Sequence, residues 1–195
     1  MVKYPDKSTG SPSDTEKESD TVNALGELKT KTDRNGNVHT YTYDVLGRLT
    51  ADAVTTLGAG VNGSVRRLET AYDTAGRPYL STSYDAASAG TVVNQVQQAY
   101  NGLGQLITEY QSHSGAVNTA TTPKVQYAYS EMSGGANHSR LTSLTYPSGR
   151  VLTYSYAAGL DDALSRLTSL VGGAGTTLES YTYLGLDTVV KRAHP

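Results

Sequence analysis

The chain has 195 residues, enough for one domain with a sizeable core, and it contains no cysteine, which excludes disulfides and thiolate metal sites. Its 16 Lys and Arg side chains nearly balance 18 Asp and Glu side chains, so it lacks the electrostatic footprint of a protein that binds nucleic acid or anionic lipid. No apolar run approaches the ~20 residues of a membrane span, and the first residues lack the apolar region of a signal peptide.

The aromatic residues are of one type, because the chain has 15 Tyr but no Phe and no Trp. Use of a single aromatic residue indicates that the same environment is built many times. Tyrosine suits a half-buried sheet surface, where its ring packs while its hydroxyl stays wet or finds a partner. The abundant Gly, Thr and Ser favour strands and turns over helices.

The first segment, residues 1–20, is polar and poor in strand-forming residues. It is predicted to be either disordered or a degenerate copy of the pattern that follows. The second alternative rests on Tyr4, Pro5 and Asp6 followed by Gly10, which resemble a turn.

From residue 21 onward the chain repeats one motif, whose cleanest copy is Tyr-Asp-Val-Leu-Gly-Arg-Leu at 43–49. Asp or Asn is favoured at the first position of a type I turn and Gly at the fourth, and a left-handed glycine there closes a hairpin with a bulge. A period in the twenties indicates a repeat architecture. The predicted turn residues are Asn23 with Gly26, Asp44 with Gly47, Asp73 with Gly76, and Asn101 with Gly104.

Between turns the chain alternates in the manner of strands, with a recurring Tyr-x-Tyr spacing. The resulting tyrosine stripe is interpreted as a structural ladder in which each ring packs on the next hairpin. The alternative is a face that stacks on sugar rings, for which the candidate residues are Tyr41, Tyr43, Tyr127, Tyr129, Tyr154 and Tyr156.

Two later copies carry longer connections, at 130–138 and 157–164. Repeat arrays absorb insertions at turns. In the second, Asp161 and Asp162 predict the capped start of one helical turn. The repeat array is predicted to extend over residues 21–187, and 188–195 is a tail or the start of a further truncated repeat.

These motifs resemble the YD repeats of the rearrangement-hotspot (Rhs) family, whose pattern Tyr43 to Thr50 satisfies throughout. The resemblance covers about residues 20–185. It implies a long β-sheet that spirals as a solenoid, often as a hollow shell around a toxin domain, in a protein that is exported or surface-associated. No stretch matches the self-cleavage region of toxin-bearing relatives, so the resemblance implies a fragment of shell wall.

No constellation of residues in the sequence converges on catalysis, and no catalytic, cofactor-binding or metal-binding residue is predicted. The histidines have no metal-ligand spacing; they are His39, His113, His138 and His194. Arginines follow the turns and are expected to pair with a neighbouring hairpin; they are Arg48, Arg77, Arg140, Arg150 and Arg166.

The sequence therefore predicts an all-β array of tandem YD-repeat hairpins, either a β-solenoid or an open twisted antiparallel sheet. The expected function is non-catalytic and structural, as part of a shell wall or surface scaffold, and the alternative is a carbohydrate-binding cell-surface module. Expected partners are neighbouring repeats of a longer chain or a second copy bound through the sheet edges, with carbohydrate as the alternative ligand. Neither nucleic acid nor membrane insertion is expected, and the family resemblance implies an extracellular or cell-surface location.

Overall fold

The structure is a computed structural model that describes residues 1–130 and 139–195. Most of the predicted insertion at 130–138, including His138, therefore lies outside the described residues. The described residues separate into two compact units. Unit 1 comprises Met1–Gln97 and Gln111–Thr122, and unit 2 comprises Gln98–Tyr110 and Pro123–Pro195.

Unit 1 is built of antiparallel strands that pair in chain order. Its strands are β1 (Val2–Pro5), β2 (Pro12–Val22), β3 (Leu28–Thr32), β4 (Val38–Tyr43), β5 (Leu49–Thr56), β6 (Arg67–Tyr72), β7 (Pro78–Tyr84) and most of β8 (Val92–Tyr100).

Unit 2 follows the same plan, again with antiparallel pairing in chain order. It contains most of β9 (Leu106–Ser112), then β10 (Lys124–Tyr129), β11 (Leu141–Thr145), β12 (Val151–Ser155), the short helix α1 (Leu160–Ala163), β13 (Ser169–Val171), a 3-10 turn (Gly173–Gly175), β14 (Thr177–Leu184) and β15 (Thr188–Ala193). The predicted all-β array of antiparallel hairpins is thereby confirmed.

The two ends of the chain form strands. The N-terminal segment, which the sequence predicted to be either disordered or a degenerate repeat, contains β1 and β2. In the turn between them, Asp6 Oδ1 accepts hydrogen bonds from the amides of Ser8 and Thr9, both at 2.9 Å. The last strand, β15, pairs with β14. Among the described residues β1 pairs only with β2 and β15 only with β14, so the strand order is open at both ends.

The hairpins bury little apolar surface. Among the described hydrophobic residues only Ala53 is buried, at 8% exposure, and most strand residues are half-buried. Because few side chains are removed from water completely, ladder hydrogen bonds and contacts between neighbouring hairpins carry much of the stability.

Candidate functional site

The turn at 44–48 is held by one carboxylate. Asp44 Oδ1 accepts hydrogen bonds from the amides of Leu46 and Arg48 at 2.9 and 3.0 Å, and Asp44 Oδ2 accepts one from Arg48 Nε at 2.7 Å. The Gly47 amide donates to the Asp44 carbonyl at 3.0 Å, as in a β-turn. The side chain of the first turn residue thus fixes both the backbone of the turn and the arginine that follows it.

The turn at 73–77 reproduces this geometry. Asp73 Oδ1 accepts from the amides of Ala75 and Arg77, both at 2.9 Å, and Asp73 Oδ2 accepts from Arg77 Nε at 2.8 Å. The fourth residues of the predicted turns all lie in the left-handed region; their φ values are 83° at Gly26, 75° at Gly47, 83° at Gly76 and 82° at Gly104.

Two further turns keep the arrangement with different chemistry. Asn101 Nδ2 donates to Gln105 Oε1 at 2.7 Å, and Asn23 Nδ2 donates to Glu27 Oε2 at 2.7 Å. An acceptor-only Asp is thus paired with a donor, whereas Asn, which can donate, is paired with an acceptor. We call this contact between the first and fifth turn residues the turn lock.

At five motifs of the described residues, a second contact joins a hairpin to the one before it. The hydroxyl of the motif tyrosine donates to the carbonyl of the leucine that ends the preceding motif. These pairs are Tyr43 with Leu28 (2.9 Å), Tyr72 with Leu49 (2.9 Å), Tyr129 with Leu106 (3.0 Å), Tyr156 with Leu141 (3.0 Å) and Tyr183 with Leu167 (2.7 Å). We call this contact the tyrosine clasp.

Arginines complete the connection between hairpins by lying on tyrosine rings. The guanidinium carbon of Arg48 is 4.3 Å from the ring centre of Tyr72, and that of Arg140 is 4.2 Å from the ring centre of Tyr156. These distances are typical of cation–π contacts. Arg48 therefore pairs both with its own turn, which the sequence did not predict, and with the next hairpin, whereas Arg150 is exposed.

The first tyrosines of the Tyr-x-Tyr pairs, Tyr41, Tyr127 and Tyr154, lie in β4, β10 and β12 and are half-buried. Burial raises the pKa of Tyr41, and the nearby Asp52 carboxylate raises it further. Burial likewise raises the pKa of Tyr127. The ring of Tyr41 stacks on His39, with centroids 6.1 Å apart.

Each unit has a groove beside a turn, bordered by a Tyr-x-Tyr pair. The unit 1 groove has a volume of about 590 Å³, and its apolar lining includes Val22, Ala24, Leu25, Tyr41, Tyr43 and Val45. The unit 2 groove has a volume of about 600 Å³ and is lined in part by Leu103, Ile107, Tyr127, Ala128 and Tyr129. The structure thus places four of the six candidate ligand-face tyrosines at grooves.

The predicted helical turn is present as α1, with Asp161 and Asp162 in its first turn. The helix begins after Gly159 without a side-chain cap, so only the predicted capping role is wrong. Instead Asp161 Oδ1 accepts a hydrogen bond from Arg166 Nε at 2.7 Å, and Asp162 forms an ion pair with Arg140. Ion pairing with nearby guanidinium groups has taken the place of capping.

The described residues contain no cluster of three or more His, Cys, Asp or Glu side chains that could hold a metal ion. In the same part of the chain, no helix has the length and apolar character needed to cross a membrane.

Comparisons with known proteins test whether the repeat motif is that of a known family. The model of the RHS Repeat family matches residues 22–59, which contain the Asn23 and Asp44 turns. A search of curated proteins found no match to this chain.

Solved structures of toxin complexes are similar to the chain. They include the TcdB2-TccC3-Cdc42 crystal structure (18% identity, TM-score 0.42, covering 88% of this chain and 10% of that chain) and a Tc holotoxin pore from Photorhabdus luminescens (19% identity, TM-score 0.42, covering 88% of this chain and 10% of that chain). The chain therefore spans about a tenth of the length of these structures. The family match confirms the resemblance seen in the sequence at residues 22–59, and the chain is similar there to the repeats of the Rhs family.

Proposed function

We propose that this segment is non-catalytic and serves as part of a wall or scaffold, with its hairpins continued by neighbouring repeats of a longer array. The tyrosine clasp carries the proposal, because it recurs in both units and always joins one hairpin to the preceding one. A contact that recurs along the chain, rather than being concentrated at one place, is typical of a repeat array in which each unit is stabilised by its neighbours.

The carbohydrate-binding alternative has less support from the geometry. Three candidate tyrosines, Tyr43, Tyr129 and Tyr156, use their hydroxyls within the chain. Arg140 also covers one side of the Tyr156 ring, so that side of this ring is not free to stack on a sugar. The proposal includes an extracellular or cell-surface location, which follows from the family resemblance alone.

Removal of single tyrosine hydroxyls tests the structural role. Tyr72→Phe and Tyr129→Phe each keep the ring but lose the clasp, and we expect a loss of about 1 kcal/mol in the free energy of unfolding by urea. Tyr79→Phe is the matched control: Tyr79 is 36% exposed, and we expect a change within about 0.5 kcal/mol.

Equal stability of all three variants and the parent chain would remove the clasp as the basis of the proposal. A glycan-binding screen addresses the alternative. A saturable interaction with one carbohydrate, abolished by Tyr41→Ala in a folded protein, would replace the structural proposal with the carbohydrate-binding module.

A further inference from the structure

In three hairpins an arginine lies on the tyrosine that forms the clasp. The arginine stands directly before the leucine whose carbonyl accepts the clasp, and its guanidinium carbon is close to the centre of the tyrosine ring. The pairs are Arg48 on Tyr72 (4.3 Å), Arg140 on Tyr156 (4.2 Å) and Arg166 on Tyr183 (4.8 Å). A guanidinium group is therefore the neighbour that this chain repeatedly places on a clasp tyrosine.

At two other clasps the residue before the leucine is not arginine. It is Glu27 for the clasp of Tyr43 and Gln105 for the clasp of Tyr129. Within the described residues, no Lys or Arg side chain lies on the ring of Tyr43. The grooves of unit 1 and unit 2 border these same two tyrosines, so at both places a groove is present where the arginine is missing.

In the unit 1 groove a carboxylate has taken the place of the guanidinium. Glu27 Oε1 is 3.1 Å from the position of a Cβ added to Gly47. Arg48 Nη1 is likewise 3.2 Å from the position of a Cβ added to Gly76, so the two side chains reach equivalent points of successive turns. Glu27 Oε2 accepts a hydrogen bond from the neutral Asn23 amide at 2.7 Å, and in the described part of the chain the carboxylate has no ion-pair partner.

We propose that the unit 1 groove binds the arginine side chain of a partner polypeptide, with the guanidinium against the Glu27 carboxylate and the Tyr43 ring. A guanidinium is planar and always charged, so it can stack on the ring and donate to the carboxylate at the same time. The apolar walls formed by Leu25 and Val45 suit the aliphatic stem of the arginine. The groove volume of about 590 Å³ exceeds a guanidinium group several times over, which favours a peptide-borne side chain over a free cation. This inference goes beyond the proposed wall or scaffold and does not depend on it.

Lys29 also lines the groove, and it is exposed. An exposed lysine keeps its ammonium group in water while its stem borders an apolar surface. Its charge opposes the binding of a cation, so Lys29→Gln should tighten the binding of an arginine side chain. An anionic ligand has the opposite requirement, because it needs Lys29 and is repelled by Glu27.

Titration of the isotope-labelled chain with acetyl-Gly-Arg-Leu-amide, followed by NMR, measures the binding. Because one side chain makes the contact, we expect saturable shifts at the Leu25 and Val45 amides with a dissociation constant on the order of millimolar. Acetyl-Gly-Gln-Leu-amide has a similar shape without the charge and should give no saturable shift. Methylguanidinium should bind at least about fivefold more weakly than the arginine peptide. Equal affinity would assign the groove to a free cation and overturn the partner polypeptide.

Substitutions in the groove separate the charge, the ring and the clasp. Glu27→Gln keeps an acceptor for Asn23, as Gln105 does for Asn101, and we expect the dissociation constant to rise at least about fivefold. Tyr43→Leu removes the ring and should abolish binding. Tyr43→Phe is its matched control, since it loses only the clasp and should bind within about twofold of the parent chain. The amide spectrum of each variant verifies that it is folded.

The double variant Asn23→Asp with Glu27→Arg supplies the missing guanidinium from within the chain, in the arrangement of Asp44 and Arg48. Its own arginine then covers the ring, and we expect the arginine peptide no longer to bind. Unchanged binding by this folded variant overturns the inference, as does equal binding of the arginine and glutamine peptides by the parent chain.

Weaker binding of the arginine peptide by Lys29→Gln also overturns the inference, and would assign the groove to an anionic group. None of these results alters the test of the tyrosine clasp, which is made at Tyr72 and Tyr129.

Discussion

The short turn at 44–48 and the long connection at 157–166 both join two strands and both end at an arginine, but they differ in length. In both, a left-handed residue precedes the arginine: Gly47 with φ 75° before Arg48, and Ser165 with φ 55° before Arg166. In both, the leucine that follows the arginine offers its carbonyl to the tyrosine of the next hairpin. The long connection differs by including α1.

The carboxylate that holds the arginine moves when the connection lengthens. Asp44 stands four residues before Arg48, whereas Asp161 stands five residues before Arg166 and is carried by α1. Both connections have the arginine, its carboxylate partner and the clasp, whereas the five-residue turn is present only in the short one. Insertions are therefore tolerated upstream of the arginine.

The largest effect that tests this comparison is expected at Arg166. Its side chain is 11% exposed, pairs with Asp161 and donates to the Gly185 carbonyl at 2.6 Å. Arg166→Ala leaves the partly buried Asp161 carboxylate without its guanidinium partner, whereas the exposed Gly185 carbonyl is solvated, and we expect a loss of about 2 kcal/mol in the free energy of unfolding. Arg48→Ala, where the arginine is 30% exposed, should cost only about 1 kcal/mol.

The exposed Arg150, which also follows a turn, supplies the control, and Arg150→Ala should change stability by less than about 0.5 kcal/mol. Equal losses at the Arg48 and Arg166 positions would mean that α1 does not make the long connection more dependent on its arginine.

A smaller effect, of opposite sign in the two regions, is expected at the left-handed residue. Gly47→Ala places a Cβ in an unfavourable conformation, 3.1 Å from Glu27 Oε1, and should destabilise by about 1 kcal/mol. Ser165→Gly relieves the same strain and should stabilise by about 0.5 kcal/mol, because the greater freedom of glycine in the unfolded chain offsets part of the gain. Thermal and urea unfolding measure both.

Gly102→Ala is the matched control, since Gly102 lies in a motif turn without a positive φ and has no atom near an added Cβ. A destabilisation there as large as at Gly47 would show that the loss comes from a general sensitivity of the turns and not from left-handed geometry.

The hairpins could be predicted from sequence because their causes are local. Asp or Asn with a glycine three residues later determines a turn within a few residues, and the alternation around Tyr41 and Tyr43 indicates a strand. The turn lock was missed, although it left a local signal. Asp is followed four residues later by a donor such as Arg48, and Asn by an acceptor such as Glu27.

The N-terminal strands could not be predicted from local preference, because their partners are distant in sequence. Glu16, in the polar strand β2, pairs with Arg34 at 2.6 Å, and the guanidinium carbon of Arg34 lies 4.3 Å from the ring centre of Tyr4. Lys3 pairs with Asp14 at 2.6 Å across β1 and β2. Pairing of β1 with β2 and of β2 with β3 overrides weak strand propensity, and the ion pairs add to it across the strands.

The smallest effect concerns protonation of the acidic turn locks. The hydrogen bond from Arg48 holds the pKa of Asp44 below its usual value of 3.8, and the backbone hydrogen bond from Arg77 does the same for Asp73. Because these folded-state pKa values are lowered, the carboxylates contribute stability that is present above pH 3.8 and is lost as the pH falls through the lowered pKa. The Asn101 lock carries no such group.

Urea unfolding between about pH 5 and about pH 2 should therefore show a fall in stability that is shallower in the double variant Asp44→Asn with Asp73→Asn than in the parent chain. The variant is less stable at neutral pH, since Asn offers Arg48 no charge, and the two curves should converge in acid. Parallel curves over the whole range would mean that the acidic locks do not sense pH. The difference between Asp-based and Asn-based turns would then be one of hydrogen-bond pairing alone.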